Sequence, residues 1–116
     1  MYKVPMIFPG QASQSVGMAQ DLAAAGGEAG GFLARIDDIL GDELTRIMFE
    51  GPADVLTETR NAQPAILAHS VAVTMALREK GIEPSLVAGH SLGEFSAAVA
   101  AGALDAQDGL RIVRRR

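Results

Sequence analysis

Two short runs of small and apolar residues stand out from a chain that otherwise has a helical pattern. The first run covers Lys3 to Phe8 and ends at Pro9-Gly10, and the second covers Ser85 to Gly89. Continuous apolar runs of this length, bounded by turn residues, are typical of strands buried in a parallel sheet. The pattern therefore predicts one strand near the start of the chain and a second, central strand in its last third.

Between and after these runs, apolar positions recur at the spacing of helix faces. We predict helices over Met18 to Ala24, over Phe32 to Leu40, around Leu44 to Met48 with Asp42 as the cap, from Gln63-Pro64 to Gly81, over Glu94 to Ala101, and from Leu104-Asp105 to the C-terminal arginines. Pro64 suits the first turn of a helix, and Asp105 is a suitable N-cap. We expect the segment from Gly26 to Gly31 to be a flexible break.

The order of these elements indicates a fold class. Strands that alternate with helices imply an α/β fold with a parallel sheet. A length of 116 residues is enough for one domain with one core, and no internal repeat is present. Two strands do not make an independently stable sheet, so the chain is short of strands for this class.

Composition and charge narrow the possible functions. The formal net charge of −4 gives no electrostatic reason to expect a nucleic acid or an anionic membrane as partner. The absence of cysteine excludes disulfides and thiolate chemistry. The N-terminal stretch is too interrupted for a secretory signal, and no stretch approaches the ~20 apolar residues that span a bilayer. We therefore expect a cytoplasmic protein.

The second predicted strand runs directly into the motif Gly89-His90-Ser91-Leu92-Gly93. In a G-x-S-x-G motif, a strand turns sharply into a helix and exposes the hydroxyl of the central serine. The flanking residues must be tiny because strand and helix approach closely there, and Gly89 and Gly93 meet that demand. The backbone N–H of Leu92 can then donate to an oxyanion. The motif and its setting predict that Ser91 is a nucleophile.

Three segments together carry a family resemblance. They are Phe8-Pro9-Gly10-Gln11-Ala12-Ser13-Gln14, Gln63-Pro64-Ala65 and the run from Gly89 to Ala97. In order and spacing they resemble the malonyl-CoA:acyl-carrier-protein transacylases of fatty-acid synthesis, a pattern shared by the acyltransferase domains of polyketide synthases. The match runs along essentially the whole chain. Ala12 stands where that family more often has glycine, which exchanges one small residue for another.

The resemblance implies a two-step covalent reaction. Ser91 would attack the thioester of malonyl-CoA, and the phosphopantetheine thiol of acyl carrier protein would then take the malonyl group, with ping-pong kinetics. The backbone N–H of Gln11 would form an oxyanion hole with that of Leu92. No cofactor is implied, because the coenzyme A thioester is the substrate. The implied fold is part of an α/β-hydrolase-like parallel sheet with helices on both faces.

An arginine about 25 residues after the serine would hold the free carboxylate of malonate, in the terms of that resemblance. The residue at this spacing is Arg116, and Arg114 and Arg115 remain alternatives for binding the carboxylate. His90 is expected to line the site or stabilise the turn, because the family's general base lies roughly a hundred residues beyond the serine. His69 is expected to be an ordinary helix histidine, and two distant histidines predict no metal site.

The resemblance also implies that residues 1–116 are the N-terminal part of a large α/β subdomain, with no complete second domain. The family's ferredoxin-like subdomain would then be absent, and the missing part or a complementary chain would be a partner. The chain alone is expected to be inactive. Two alternatives stay open, namely a serine hydrolase or thioesterase with the same motif and an inactive truncated fragment. Arg116 and the loop at Gln11 favour the transferase.

Overall fold

The computed structural model describes residues 2–115. Strands and helices follow one another in this part of the chain as β1 (Tyr2–Phe8), α1 (Gln20–Ala25), α2 (Gly27–Leu40), α3 (Leu44–Glu50), α4 (Ala53–Thr57), α5 (Thr59–Glu79), β2 (Ile82–Gly89), α6 (Gly93–Ala100) and α7 (Ala106–Arg115). None of the helices described here is long and apolar enough to cross a membrane.

The two strands form a parallel sheet. Tyr2 lies opposite Ile82 at one end and Phe8 lies opposite Gly89 at the other, with one irregularity between Val4 and Pro5. A parallel pair needs a long crossover, and α1 to α5 supply it. The α/β class with a parallel sheet, predicted from the alternating elements, is confirmed.

The two faces of this sheet differ. Met6 and Phe8 point to one face and pack with Ala97 and Ala100 of α6. Ile7 points to the other face and keeps 82% of its surface exposed; Leu86 of β2 keeps 60%. Helices were expected on both faces, but within residues 2–115 they cover only one.

A helical core fills the rest of the molecule. Its largest fully buried apolar side chains are Phe32, Leu33, Ile36, Leu44, Met48, Leu56, Leu67, Leu92, Leu110 and Val113. The long helix α5 runs between α2 and α7 and contributes a nearly continuous buried stripe. Because Leu92 belongs to this cluster, the core reaches the turn that follows β2.

Two predictions about α2 and α3 are wrong. Irregular backbone is limited to Gly26 and Gly27, with φ values of 76° and 67°, and Gly30 and Gly31 lie in the first turns of α2 rather than in a flexible break. The Glu79 carboxylate accepts a hydrogen bond from the backbone N–H of Glu28 and so holds this helix start. Asp42 does not cap α3. The side chain of Asp37 does so instead, accepting hydrogen bonds from the N–H groups of Leu44 and Thr45, both at 2.9 Å.

The start of α5 also differs from the prediction. The helix begins at Thr59 rather than at Gln63, so Pro64 lies in its second turn. The short helix α4 was not predicted. The N-cap at Asp105 is confirmed, because its carboxylate accepts hydrogen bonds from the N–H groups of Gln107 and Asp108 at 2.9 and 3.3 Å.

Candidate active site

The turn between β2 and α6 is too tight for any side chain at its two flanking glycines. A Cβ atom at Gly89 would lie 2.0 Å from the carbonyl oxygen of Gly93. A Cβ atom at Gly93 would lie 2.1 Å from the carbonyl oxygen of Phe8. Strand and helix therefore meet backbone to backbone, as the sequence motif predicts. We call residues 89–93 the elbow.

Ser91 occupies the apex of the elbow in a left-handed conformation. Its φ is 56°, a region that residues with a side chain seldom adopt, and its surface is exposed. The next residue, Leu92, has right-handed helical angles and a fully buried side chain, which fixes the direction in which α6 leaves. A strained, exposed serine on a strand-to-helix turn is the arrangement that presents a nucleophile.

The loop after β1 lies against the elbow. The N–H of His90 donates to the carbonyl oxygen of Phe8 at 3.1 Å. A Cβ atom at Gly10 would lie 2.6 Å from the carbonyl oxygen of His90, so only glycine fits there. These contacts bring Gln11, the residue after Gly10, to the side of the elbow.

Internal hydrogen bonds fix the conformation of the Gln11 loop. Ala12 has a φ of 87°, and its N–H donates to Oε1 of Gln14 at 2.8 Å. The Ser13 hydroxyl donates to the carbonyl oxygen of Gly10 at 2.8 Å. The positive φ gives a backbone reason for glycine at position 12, in addition to its small size.

The side chain of Gln11 is held by the first two turns of α5. Its Nε2 donates to the Thr59 hydroxyl at 3.0 Å, and its Oε1 accepts from Nε2 of Gln63 at 3.3 Å. We call these three side chains the Gln11 clamp. Within residues 2–115, the backbone N–H groups of Gln11 and Leu92 donate no hydrogen bond to the protein, so both are available to an oxygen bound at the elbow.

The two histidines lie in different surroundings. His90 is exposed beside Gly10, and no hydrogen bond joins its imidazole to Ser91 within the described chain. His69 is half-buried on α5, where it lines a groove of about 300 Å³ together with Phe8 and Pro9. Burial lowers the pKa of His69, and the carboxylate of Asp21 opposes that shift. No group of three His, Cys, Asp or Glu side chains between residues 2 and 115 is arranged to hold a metal ion.

The C-terminal arginines have different partners. Arg116 lies outside the described residues. Arg115 is exposed at the end of α7, and Arg111 forms an exposed pair with Asp108 at 3.5 Å. Arg114 is only 12% exposed, and its guanidinium donates to the carboxylate of Asp42. The structure thus brings together Ser91, Leu92, His90 and Gln11. Arg114 does not join them, because it pairs with Asp42.

Sequence reasoning missed the Gln11 clamp and the partners of Arg114. Gln63 stands in one of the segments that carry the family resemblance, and that was the available signal. Thr59 and Asn61 gave none, because their partners lie about 50 positions away in the chain.

Comparisons with known proteins identify the family of the chain. The family model for the acyl transferase domain matches residues 6–116. The chain is 47% identical over 116 residues to the malonyl CoA-acyl carrier protein transacylase of Bacillus subtilis, covering 100% of this chain and 37% of that protein. The chain therefore spans little more than a third of the length of this relative.

Two solved structures are similar. The acyl-carrier-protein-S-malonyltransferase of Bartonella henselae superposes with a TM-score of 0.90 at 44% identity, covering 98% of this chain and 37% of that one. A malonyl-transacylase solved in complex with its type II polyketide-synthase acyl-carrier protein gives a TM-score of 0.88 at 45% identity, covering 97% and 37%. Each similarity covers nearly all of this chain.

Proposed function

Because the chain belongs to the acyl transferase domain family, we propose that it carries the nucleophile of a malonyl-CoA:acyl-carrier-protein transacylase. The observation that supports this most strongly is Ser91, exposed and strained at an elbow that admits no side chain at Gly89 or Gly93. A hydroxyl presented in this way, beside two unused backbone N–H groups, suits acyl transfer through an ester.

In the first half-reaction, the Ser91 hydroxyl attacks the thioester carbonyl of malonyl-CoA. A carbon–oxygen bond forms, the N–H groups of Gln11 and Leu92 stabilise the negative oxygen, and the carbon–sulfur bond breaks to release coenzyme A with the serine's proton. In the second, the phosphopantetheine thiol of acyl carrier protein attacks the ester carbonyl: a carbon–sulfur bond forms, the carbon–oxygen bond to Ser91 breaks, and the serine oxygen takes the proton of the thiol.

The general base is proposed to come from outside the described residues. No side chain in residues 2–115 hydrogen-bonds to the Ser91 hydroxyl, and a serine needs such a partner for efficient attack. The family resemblance points to a histidine in the sequence that relatives carry beyond this region. We therefore expect residues 1–116 alone to be inactive, and the expected role of His90 remains that of lining the site or stabilising the turn.

Arg116 is proposed to bind the carboxylate of the malonyl group. Arg114 is engaged with Asp42, which leaves two candidates for this role: Arg115, which has no ion pair among residues 2–115, and Arg116. A guanidinium can bind a carboxylate through two parallel hydrogen bonds. Such a contact would give strong selectivity for malonyl over neutral acyl groups.

Acyl carrier protein is proposed as the acceptor. A similar malonyl-transacylase has been solved with its acyl-carrier protein, and this relationship supports the assignment. From the family resemblance and the sequence composition we further propose that the reaction takes place in the cytoplasm, in fatty-acid synthesis. The cytoplasmic location and the absence of any cofactor remain predictions.

A hybrid protein tests the proposal. Residues 1–116 are joined to the part of the Bacillus subtilis relative that lies beyond the matched region. We expect the hybrid to release coenzyme A from malonyl-CoA before acyl carrier protein is added and then to malonylate the carrier with ping-pong kinetics. Free malonate as the main product would instead indicate a hydrolase, and no release of coenzyme A would contradict the proposal.

A further inference from the structure

Pro64 leaves one backbone carbonyl of α5 without its helical partner. In a regular helix the N–H of residue 64 would donate to the carbonyl oxygen of Arg60, but proline has no N–H. The Nη1 group of Arg114 donates to this carbonyl oxygen instead. The side chain of Arg114 thus completes the hydrogen bonding of the first turn of α5.

The same guanidinium also contacts two side chains. Its Nε and Nη2 lie 3.0 and 2.8 Å from Oδ2 of Asp42, and Nη1 lies 2.9 Å from Oδ1 of Asn61. Asn61 is buried, and its Nδ2 donates to the carbonyl oxygen of Val55 at 2.9 Å. We call Arg114, Asp42, Arg60 and Asn61 the arginine junction. It ties the end of α7 to the loop before α3 and to the start of α5.

The arginine junction and the Gln11 clamp hold the same short stretch of α5. Arg60 and Asn61 accept hydrogen bonds from the Arg114 guanidinium. In the sequence they lie between Thr59 and Gln63, whose side chains hydrogen-bond to that of Gln11. A displacement of this turn would therefore move both anchors of Gln11 at once. The contacts form a continuous path from α7 to the loop beside Ser91.

We propose that Arg114 is a positioning residue for the acylation of Ser91: by fixing the first turn of α5, it holds the backbone N–H of Gln11 where the negative oxygen develops. This inference rests on the proposed function, because it assigns the Gln11 N–H to the oxyanion. Small displacements of a group that stabilises a transition state slow a reaction by up to about a hundredfold.

This role has a kinetic signature that a carboxylate-binding role lacks. The thioester oxygen is common to malonyl-CoA and acetyl-CoA, whereas only malonyl carries a free carboxylate. Loss of Arg114 should therefore slow acylation by both donors by the same factor and leave their ratio unchanged. It should lower the rate constant at saturating donor rather than raise KM, because the lost interaction acts in the transition state.

The test measures single-turnover acylation of the hybrid protein with malonyl-CoA and with acetyl-CoA. We expect Arg114→Gln to slow both reactions roughly ten- to a hundredfold. The rates are measured well below the unfolding temperature of the variant. Arg114→Lys keeps the positive charge beside Asp42 but loses the several N–H donors of the guanidinium, so it should be faster than Arg114→Gln and slower than the unchanged protein. The matched control is Arg111→Gln on the same helix, whose exposed pair with Asp108 should leave the rate unchanged.

A second background separates positioning from general destabilisation. Gln11→Ala removes the side chain that the clamp holds but keeps the backbone N–H. In that background, Arg114→Gln should cost less than about twofold in rate, because the connection is already broken. If Arg114→Gln does not fold, Asp42→Asn removes one arm of the junction and gives the same comparison.

Three results would overturn the inference while the unchanged hybrid still forms a malonyl ester on Ser91. They are normal acylation by Arg114→Gln, a loss confined to malonyl-CoA, and an equal loss in both Gln11 backgrounds. Failure of the unchanged hybrid to form the ester would instead overturn the proposed function itself, and the two failures are thereby distinguished.

Discussion

The elbow and the arginine junction are both tightly packed, but they are built from different atoms. At the elbow, backbone meets backbone: a Cβ atom on Gly89 or Gly93 would lie 2.0 or 2.1 Å from a neighbouring carbonyl oxygen, far inside van der Waals contact. At the junction, one long side chain reaches across from α7 and satisfies acceptors on two other segments. Backbone contacts determine how closely strand and helix meet at the elbow, whereas one side chain determines the geometry of the junction.

This difference predicts how each region responds to substitution. A backbone contact cannot be weakened by degrees, because an added carbon either fits or forces strand and helix apart. The contacts of a guanidinium can be removed one at a time, so changes at the junction should give graded effects. The serine can thus be held rigidly while the loop that faces it depends on a distant side chain.

The largest expected effect is on the elbow. Gly93→Ala would place a methyl group on the carbonyl oxygen of Phe8, so we expect the free energy of unfolding to fall by about 3 kcal/mol or more. The matched control is Gly31→Ala in α2, where nothing lies within 4 Å and alanine favours the helix by about 1 kcal/mol. Thermal unfolding of both variants would check this. A free energy of unfolding for Gly93→Ala close to that of the unchanged protein would contradict the packing described.

A second prediction compares Arg115 and Arg116, which follow one another in the sequence. In the hybrid protein, Arg116→Ala should depress malonyl transfer by tens to hundreds of fold relative to acetyl transfer, because a charge-assisted contact is worth on the order of 2–4 kcal/mol. Arg115→Ala is the control and should leave the ratio near that of the unchanged protein. A selective loss in the Arg115 variant would move the carboxylate site by one residue.

A third prediction concerns the strain at the apex of the elbow. Ser91 has a φ of 56°, which costs a residue with a Cβ atom roughly 1 kcal/mol and glycine very little. Ser91→Gly should therefore be more stable than Ser91→Ala by about that amount, although neither variant can form an ester. Equal unfolding temperatures for the two variants would show that the elbow stores no such strain.

The smallest expected effect is a dependence of stability on pH. Burial lowers the pKa of His69 below its ordinary value of 6.5, so the folded chain binds its proton less readily than the unfolded chain. The free energy of unfolding should therefore fall as the pH drops below about 6.5. His69→Gln should reduce this fall between pH 7.5 and 5.5. A stability profile identical to that of the unchanged protein over this range would contradict the prediction.

The two regions also differ in how well the sequence predicted them. The elbow was predictable because its requirements are local: tiny residues at 89 and 93, an apolar strand before them and a helix after. The cap at Asp105 was predictable for the same reason, since its partners lie two and three residues away. Local geometry therefore specifies both features.

The junction was not predictable from local rules. Asp42 reads as a helix cap because it precedes a helix, yet it binds Arg114, 72 positions away, and Asp37 takes over the cap. Pro64 predicts a helix start, but the helix begins five residues earlier, and Arg114 bonds the carbonyl that the proline leaves without a partner. In each case a tertiary contact overrides the local preference.

The central claim is that Ser91 accepts the acyl group, and the most direct measurement is the intact mass of the hybrid protein after brief exposure to malonyl-CoA, followed by peptide mapping. The account predicts a mass increase of one malonyl group, located on the peptide that contains Ser91 and absent from Ser91→Ala. An unmodified protein that nonetheless malonylates acyl carrier protein, or an ester on any other residue, would contradict it.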